Sequence, residues 1–96
     1  MTQTTEILNK TLTVLCQKLE VSEEELLGGC RRRELTDARC LVAAWMKGLP
    51  GVKQEDVARM LGKTQAGVSK MLVRHEDLMK VDAEYRNKWL KVNGER

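Results

Sequence analysis

The chain of 96 residues contains no phenylalanine, and its only aromatic residues are Trp45, Tyr85 and Trp89. Exposed aromatic rings are the platforms on which proteins stack single-stranded nucleic acids, so this scarcity argues against a single-strand binder. There is one proline, and no Asn-Gly or Gly-Gly turn separates alternating apolar runs. Since such turns join the strands of hairpins, their absence argues against a sheet and favours an all-α fold.

Long hydrophobic runs are also missing. No stretch of the sequence approaches the ~20 apolar residues that a transmembrane helix needs. The first six residues are polar and lack the basic region and apolar run of a signal peptide. We therefore expect a cytoplasmic protein with no membrane partner.

Residues for catalysis or metal binding are few. Cys16, Cys30 and Cys40 are odd in number and are spaced by 14 and 10 residues, which fits neither a disulfide framework nor a zinc ribbon. We interpret them as reduced structural thiols. The single histidine, His75, has no nucleophile in a plausible arrangement with it. The sequence thus predicts no metal site, no cofactor, no small-molecule substrate and no enzyme activity.

The spacing of apolar residues predicts one domain of five to six helices over residues 1–96. In the first helix, about Thr4 to Leu19, an apolar stripe indicates core packing, with a dimer face as the alternative. The stripe consists of Ile7, Leu8, Leu12, Leu15 and Leu19.

A second, short helix is predicted from Glu23 to Leu27. Ser22 and Glu25 have the spacing of a capping box, with Val21 and Leu26 as its hydrophobic staple, and Gly28 follows as a stop signal.

Four further helices follow in the sequence. Thr36 is the expected N-cap of the third, which extends to about Lys47 and is broken by Gly48–Gly51. The fourth spans about Gln54–Leu61 and the fifth about Gln65–Leu78. Asp82 is expected to cap the last helix, whose apolar side contains Tyr85, Trp89 and Val92.

Within about residues 54–76 the sequence has the spacing of a helix-turn-helix. Ala58 is small where the second helix would cross the first, and Gly62 supplies the positive φ that ends the first helix. Thr64 can cap the second helix. The residues expected to fill the wedge between the two helices are Val57, Leu61, Val68 and Met71.

In a helix-turn-helix, the N-terminal residues of the second helix reach base edges in the major groove of DNA. Gln65 can donate to and accept from an adenine edge, and Ala66 offers a methyl group to thymine. Ser69 and Lys70 would face the same groove, while Lys63 and Gln54 are placed for phosphates. Gly67 within the helix costs about 1 kcal/mol relative to alanine, and the sequence does not explain it.

Basic residues are concentrated in the middle of the chain. The segment from Cys30 to His75 has a net charge of +6, whereas the remainder has −3. A basic loop is predicted over residues 30–36, and we expect it to contact the DNA backbone or minor groove. The predicted DNA-contacting residues are Arg31, Arg32, Arg33, Gln54, Lys63, Thr64, Gln65, Ala66, Ser69, Lys70 and Arg74.

From about Leu19 onward, three quarters of the chain resembles the C-terminal DNA-binding domain of DnaA, the bacterial replication initiator. DnaA belongs with the Trp repressor in one helical superfamily. The resemblance rests on Val21-Ser22 followed by glutamates and Leu26-Leu27, on the three arginines, on Ala38-Arg39 opening a long apolar helix, and on the helix-turn-helix. It implies that Arg33 enters the minor groove.

The recognition helix departs from the DnaA pattern. DnaA has Asp-His-Thr-Thr-Val after an arginine, whereas this chain has the sequence Lys63 to Val68 and a turn one residue shorter. The Thr-Gln-Ala-Gly-Val segment is equally similar to recognition helices of phage repressors, so the DnaA target sequence is not carried over. No glycine-rich loop ending in Lys-Ser or Lys-Thr occurs, so the nucleotide-binding domain of DnaA is absent from this sequence.

The sequence therefore predicts sequence-specific binding of double-stranded DNA, by a regulator of transcription or replication of bacterial or phage origin. The alternative is a helical protein-interaction adaptor, because Ala66 and Gly67 stand where base-reading side chains are expected. The oligomeric state is open between a monomer and a homodimer.

Overall fold

The computed structural model describes residues 3–28 and 32–94, and these contain six helices and no strand. The all-α prediction is therefore confirmed. The helices are α1 (Gln3–Leu19), α2 (Glu23–Leu27), α3 (Arg33–Lys47), α4 (Gln54–Leu61), α5 (Gln65–Val81) and α6 (Ala83–Gly94). None of these helices is long and apolar enough to cross a membrane.

The core is arranged around α3. Its residues Leu41, Val42, Ala43 and Met46 are almost completely buried, and the helix packs against α1, α2, α4 and α5. Four consecutive or near-consecutive buried positions exceed what one amphipathic face can hold, so α3 is covered on several sides. Helices α1, α2, α4 and α5 are therefore positioned relative to α3, and α6 packs on α1 and α5.

The predicted stripe on α1 is confirmed at Leu8, Leu12 and Leu15, which are buried. It is wrong at Ile7, whose side chain is 51% exposed. Ile7 shares its side of the helix with Val14, which is seven residues further on and also exposed. This side lies about 120° around the helix axis from the buried stripe.

The start of α2 is the predicted one. The Ser22 hydroxyl accepts a hydrogen bond from the Glu25 N–H at 3.0 Å, and Leu26 is buried. The helix ends at Leu27, before Gly28.

The start of α3 differs from the prediction. Thr36 is not the N-cap, because α3 begins at Arg33, and the last part of the predicted 30–36 loop is its first turn. The Arg32 carbonyl accepts the Thr36 N–H at 3.0 Å and the Thr36 hydroxyl at 3.2 Å. The threonine hydroxyl thus donates into the helix instead of accepting from a free N–H.

Arg39 is the one buried charged side chain among the described residues, and it connects α3 to the end of α2. Its guanidinium donates to the carbonyls of Leu26 at 2.5 Å, Gly28 at 2.8 Å and Glu25 at 3.1 Å. The last carbonyls of a helix have no partner within the helix and carry its negative dipole end. The Arg39 side chain therefore caps the C-terminal end of α2.

The helix α5 extends to Val81, three residues beyond the prediction, and Asp82 caps α6 as predicted by accepting the Tyr85 N–H at 3.1 Å. His75 on α5 lies 2.6 Å from the Tyr85 hydroxyl, and its ring centroid is 4.6 Å from that of Trp89. These three rings join the C-terminal half of α5 to α6.

We expect Arg39→Met to lower the free energy of unfolding by about 2–3 kcal/mol, because three carbonyls lose a charged donor while the apolar stem is kept. Urea unfolding measures this change. Lys47→Met, an exposed change on the same helix, should stay within about 0.5 kcal/mol. Equal midpoints for the two variants would contradict a stabilising role for the Arg39 guanidinium.

We expect the stability to fall as the pH is lowered below about 6.5. Burial lowers the pKa of His75, and the nearby Glu76 carboxylate only partly opposes this. The unfolded chain then binds a proton at a pH where the folded chain does not, so acid favours unfolding. NMR titration of this single histidine, together with urea unfolding at pH 7 and 5, tests the prediction. A His75→Gln variant should show a smaller loss, and an imidazole titrating above 6.5 would contradict the interpretation.

Candidate nucleic-acid interface

The helices α4 and α5 are joined by a turn of three residues, Gly62 to Thr64. Gly62 has φ 67° and ψ 33°, as predicted, and a Cβ there would meet no atom within 4 Å. The glycine is thus required by the left-handed backbone and not by lack of space. The Lys63 N–H donates to the Ala58 carbonyl at 2.9 Å, which closes the end of α4.

The inner sides of the two helices form an apolar wedge. Val57, Ala58, Leu61 and Val68 are all at least 96% buried, as the helix-turn-helix pattern predicts, and Met71 is partly buried. Val68 is completely buried, and it lies in the first turn of α5. The orientation of this first turn is therefore fixed by packing.

Thr64 caps α5 as predicted. Its hydroxyl accepts the Gly67 N–H at 3.0 Å. A Cβ on Gly67 would lie 3.3 Å from the Thr64 hydroxyl oxygen. This contact is tight, so the hydroxyl would have to shift from its capping position. The glycine that the sequence left unexplained thus gives the capping hydroxyl room.

The opposite side of α5 is exposed over its first three turns. Gln65, Ala66, Ser69 and Lys70 are all exposed, as the predicted base-reading set requires. Val73 follows on the same side, seven residues after Ala66, and is 59% exposed. Val73 is not among the residues predicted from the sequence, although its spacing of seven residues from Ala66 indicates the same side of a helix. An exposed apolar side chain here suits a thymine methyl group.

Gln54 lies at the junction of the two helices. Its side-chain amide nitrogen donates to the Gln65 carbonyl at 2.9 Å and to the Ser69 hydroxyl at 2.5 Å. Both amide hydrogens have acceptors, so in this arrangement Gln54 offers only its oxygen to other groups. The Gln54 side chain, which the sequence predicts to contact phosphate, connects α4 to the start of α5. It leaves the Ser69 hydroxyl hydrogen without an acceptor among the described residues.

The basic residues predicted to contact DNA differ in their exposure and in their ion pairs. Arg31 lies outside the described residues, as does the side chain of Arg33. Arg32 is exposed and forms an ion pair with Glu25 at 2.5 Å. Arg39, counted in the positive segment, is turned inward and belongs to the fold.

The remaining predicted cations surround the start of α5. Lys63 and Lys70 are exposed and form no ion pair with any residue that the structure describes. The Arg74 guanidinium lies 3.4 Å from the Asp37 carboxylate on α3. Two positive charges with no ion-pair partner among the described residues, and one partly compensated charge, thus lie beside the exposed side of α5.

Reactive thiols and metal sites find little support in the part of the chain that the structure describes. Cys16 and Cys40 are free and buried, and Cys30 lies outside the described residues. Burial raises the pKa of both buried thiols to about 11, so neither is a thiolate near neutral pH. Residues 3–28 and 32–94 contain no group of three or more histidines, cysteines or carboxylates placed to hold a metal ion.

Comparison with known proteins gives no relative: no family model, no curated protein and no solved structure matches the chain.

Proposed function

We propose that the protein binds double-stranded DNA sequence-specifically and acts as a regulator of transcription or replication. The observation that carries the proposal is the orientation of α5. Val68 buries one side of its first turn, while Gln65, Ala66, Ser69 and Lys70 face solvent on the other. A helix held in this way can enter the major groove of B-DNA with its N-terminal residues against the bases.

The chemistry of the exposed side chains fits base edges. Gln65 is a bidentate partner for adenine, and the Ser69 hydroxyl, which accepts from Gln54, can donate to a base acceptor. Ala66 and Val73 offer methyl groups to thymine. This combination favours a target half-site with A·T pairs.

The order of elements supports a relationship to the DNA-binding domain of DnaA. A capped short helix, a basic stretch, the long α3 and the helix-turn-helix follow one another as that resemblance requires. Under this proposal Arg31, Arg32 and Arg33 contact the minor groove or the backbone. Two copies could occupy a palindromic site, or one copy could bind alone with the help of these arginines.

We expect tight binding to a duplex selected from a random library, with affinity that depends steeply on salt. If the protein neutralises three phosphates in all, affinity should fall roughly 40-fold between about 50 and about 200 mM salt. Fluorescence anisotropy measures this, with a scrambled duplex and a single strand as controls. Absence of duplex binding at low salt would contradict the proposal and favour the protein-adaptor alternative.

We expect Gln65→Ala to weaken binding to the selected duplex by about 1–3 kcal/mol and to change binding to the scrambled duplex little, since a base contact is lost. Gln17→Ala, an exposed change on α1, should leave both affinities unchanged. Equal losses on both duplexes would mean that Gln65 contacts the backbone and does not read bases.

A further inference from the structure

A cleft of about 180 Å³ lies between the first half of α3 and the start of α5. Cys40 from α3 and Met71 from α5 contribute apolar surface to it. Besides Arg39 of α3, three cationic side chains line it: Lys63 from the turn, and Lys70 and Arg74 from successive turns of α5. This cleft therefore combines an apolar lining with positive charge from two elements.

The charge of the cleft is poorly compensated within the described part of the chain. Lys63 and Lys70 form no ion pair there, and Asp37, which holds Arg74 at 3.4 Å, does not line the cleft. The Asp37 side chain is 16% exposed and that of Arg74 is 48% exposed, so the arginine keeps donors on the solvent side. Such a site attracts an anion.

None of the described residues that line the cleft carries a negative charge. Burial raises the pKa of Cys40 to about 11, a shift that the Arg74 and Arg39 guanidinium groups oppose and Asp37 reinforces. The thiol is therefore neutral at physiological pH. Arg39 also lines the cleft, but its nitrogens donate to the carbonyls at the end of α2.

The position of the cleft relates it to a duplex. It separates α5, proposed for the major groove, from the N-terminal part of α3, into which the basic stretch Arg31–Arg33 leads. Adjacent major and minor grooves of B-DNA are separated by one sugar–phosphate strand. If the two elements occupy adjacent grooves, that strand must pass between them, over the cleft.

We propose that this cleft holds one backbone phosphate of the strand that crosses between α5 and the basic stretch, bound by Lys63, Lys70 and Arg74. The inference rests on the proposed function, and it specifies where one DNA phosphate lies relative to α3 and α5. The two lysines supply point charges, whereas Arg74 can bind the phosphate oxygens through its fork while retaining Asp37 on its other side. The apolar surface of Met71 suits the adjoining deoxyribose.

The experiment combines changes in the DNA with changes in the protein. The selected duplex is prepared as a series in which one phosphate at a time is replaced by an uncharged methylphosphonate. For the wild-type protein we expect one position in the crossing strand at which affinity drops about fivefold at ~0.15 M salt, the value for loss of one phosphate contact.

In the double variant K63A/K70A, the penalty at that position should shrink to less than about twofold, and the salt slope should fall by about 1. Both lysines are exposed, so folding should be unaffected, and urea unfolding checks this. The matched control, K47A/K80A, removes two exposed positive charges elsewhere on α3 and α5. It should keep the full penalty at the same position.

The outcomes separate this proposal from the one on which it rests. An unchanged penalty in K63A/K70A, with specific duplex binding intact, overturns the phosphate site and leaves the proposed function standing. Failure of the wild-type protein to bind any duplex overturns both. Saturable binding of inorganic phosphate, seen by NMR at Met71, without a methylphosphonate effect would assign the cleft to a free anion and also overturn the proposal.

Discussion

The complete burial of Val68 is the constraint on which the proposed interface depends. A helix with one fully buried residue in its first turn cannot rotate about its axis without exposing that residue or forcing a bulkier one inside. Val57 and Leu61 on α4 close the other side of the wedge. The exposed side of α5 is thus set by packing before any ligand arrives, so a base-reading helix would lose little entropy on binding.

Polar contacts add precision to this packing. Thr64 fixes where α5 begins, and Gln54 ties the first two turns of α5 to α4 through one backbone and one side-chain acceptor. Arg39 does the same for α2, whose end leads into the basic stretch. Each of these hydrogen bonds joins segments close to the proposed DNA surface. The three polar side chains therefore help to position this surface.

Much of this could be predicted from the sequence because its causes are local. The cap at Ser22, the left-handed Gly62 and the cap at Thr64 each depend on residues within a few positions of one another. The wedge residues follow from helical periodicity and were predicted with the same success.

The parts that could not be predicted depend on contacts distant in sequence or on weak signals. Arg32 is a poor capping residue, so the sequence favours the nearby Thr36 as the N-cap of α3. The inward turn of Arg39 depends on carbonyls 11 to 14 residues away. Likewise, Gln54 donates to acceptors on the following helix, and Ile7 lies on a side of α1 that the described helices leave exposed.

Charged side chains are distributed unevenly along α5. Lys70 and Arg74 precede Glu76 and Asp77, both exposed, and with Lys80 the last six residues of α5 carry a net charge of −1. At 1.5 Å per residue these carboxylates lie about 16–18 Å along the axis from Gln65, on the order of the diameter of a duplex. Phosphates would attract the N-terminal part of α5 and repel its C-terminal part. The helix would therefore approach DNA with its N-terminus first, and an approach along its whole length is disfavoured.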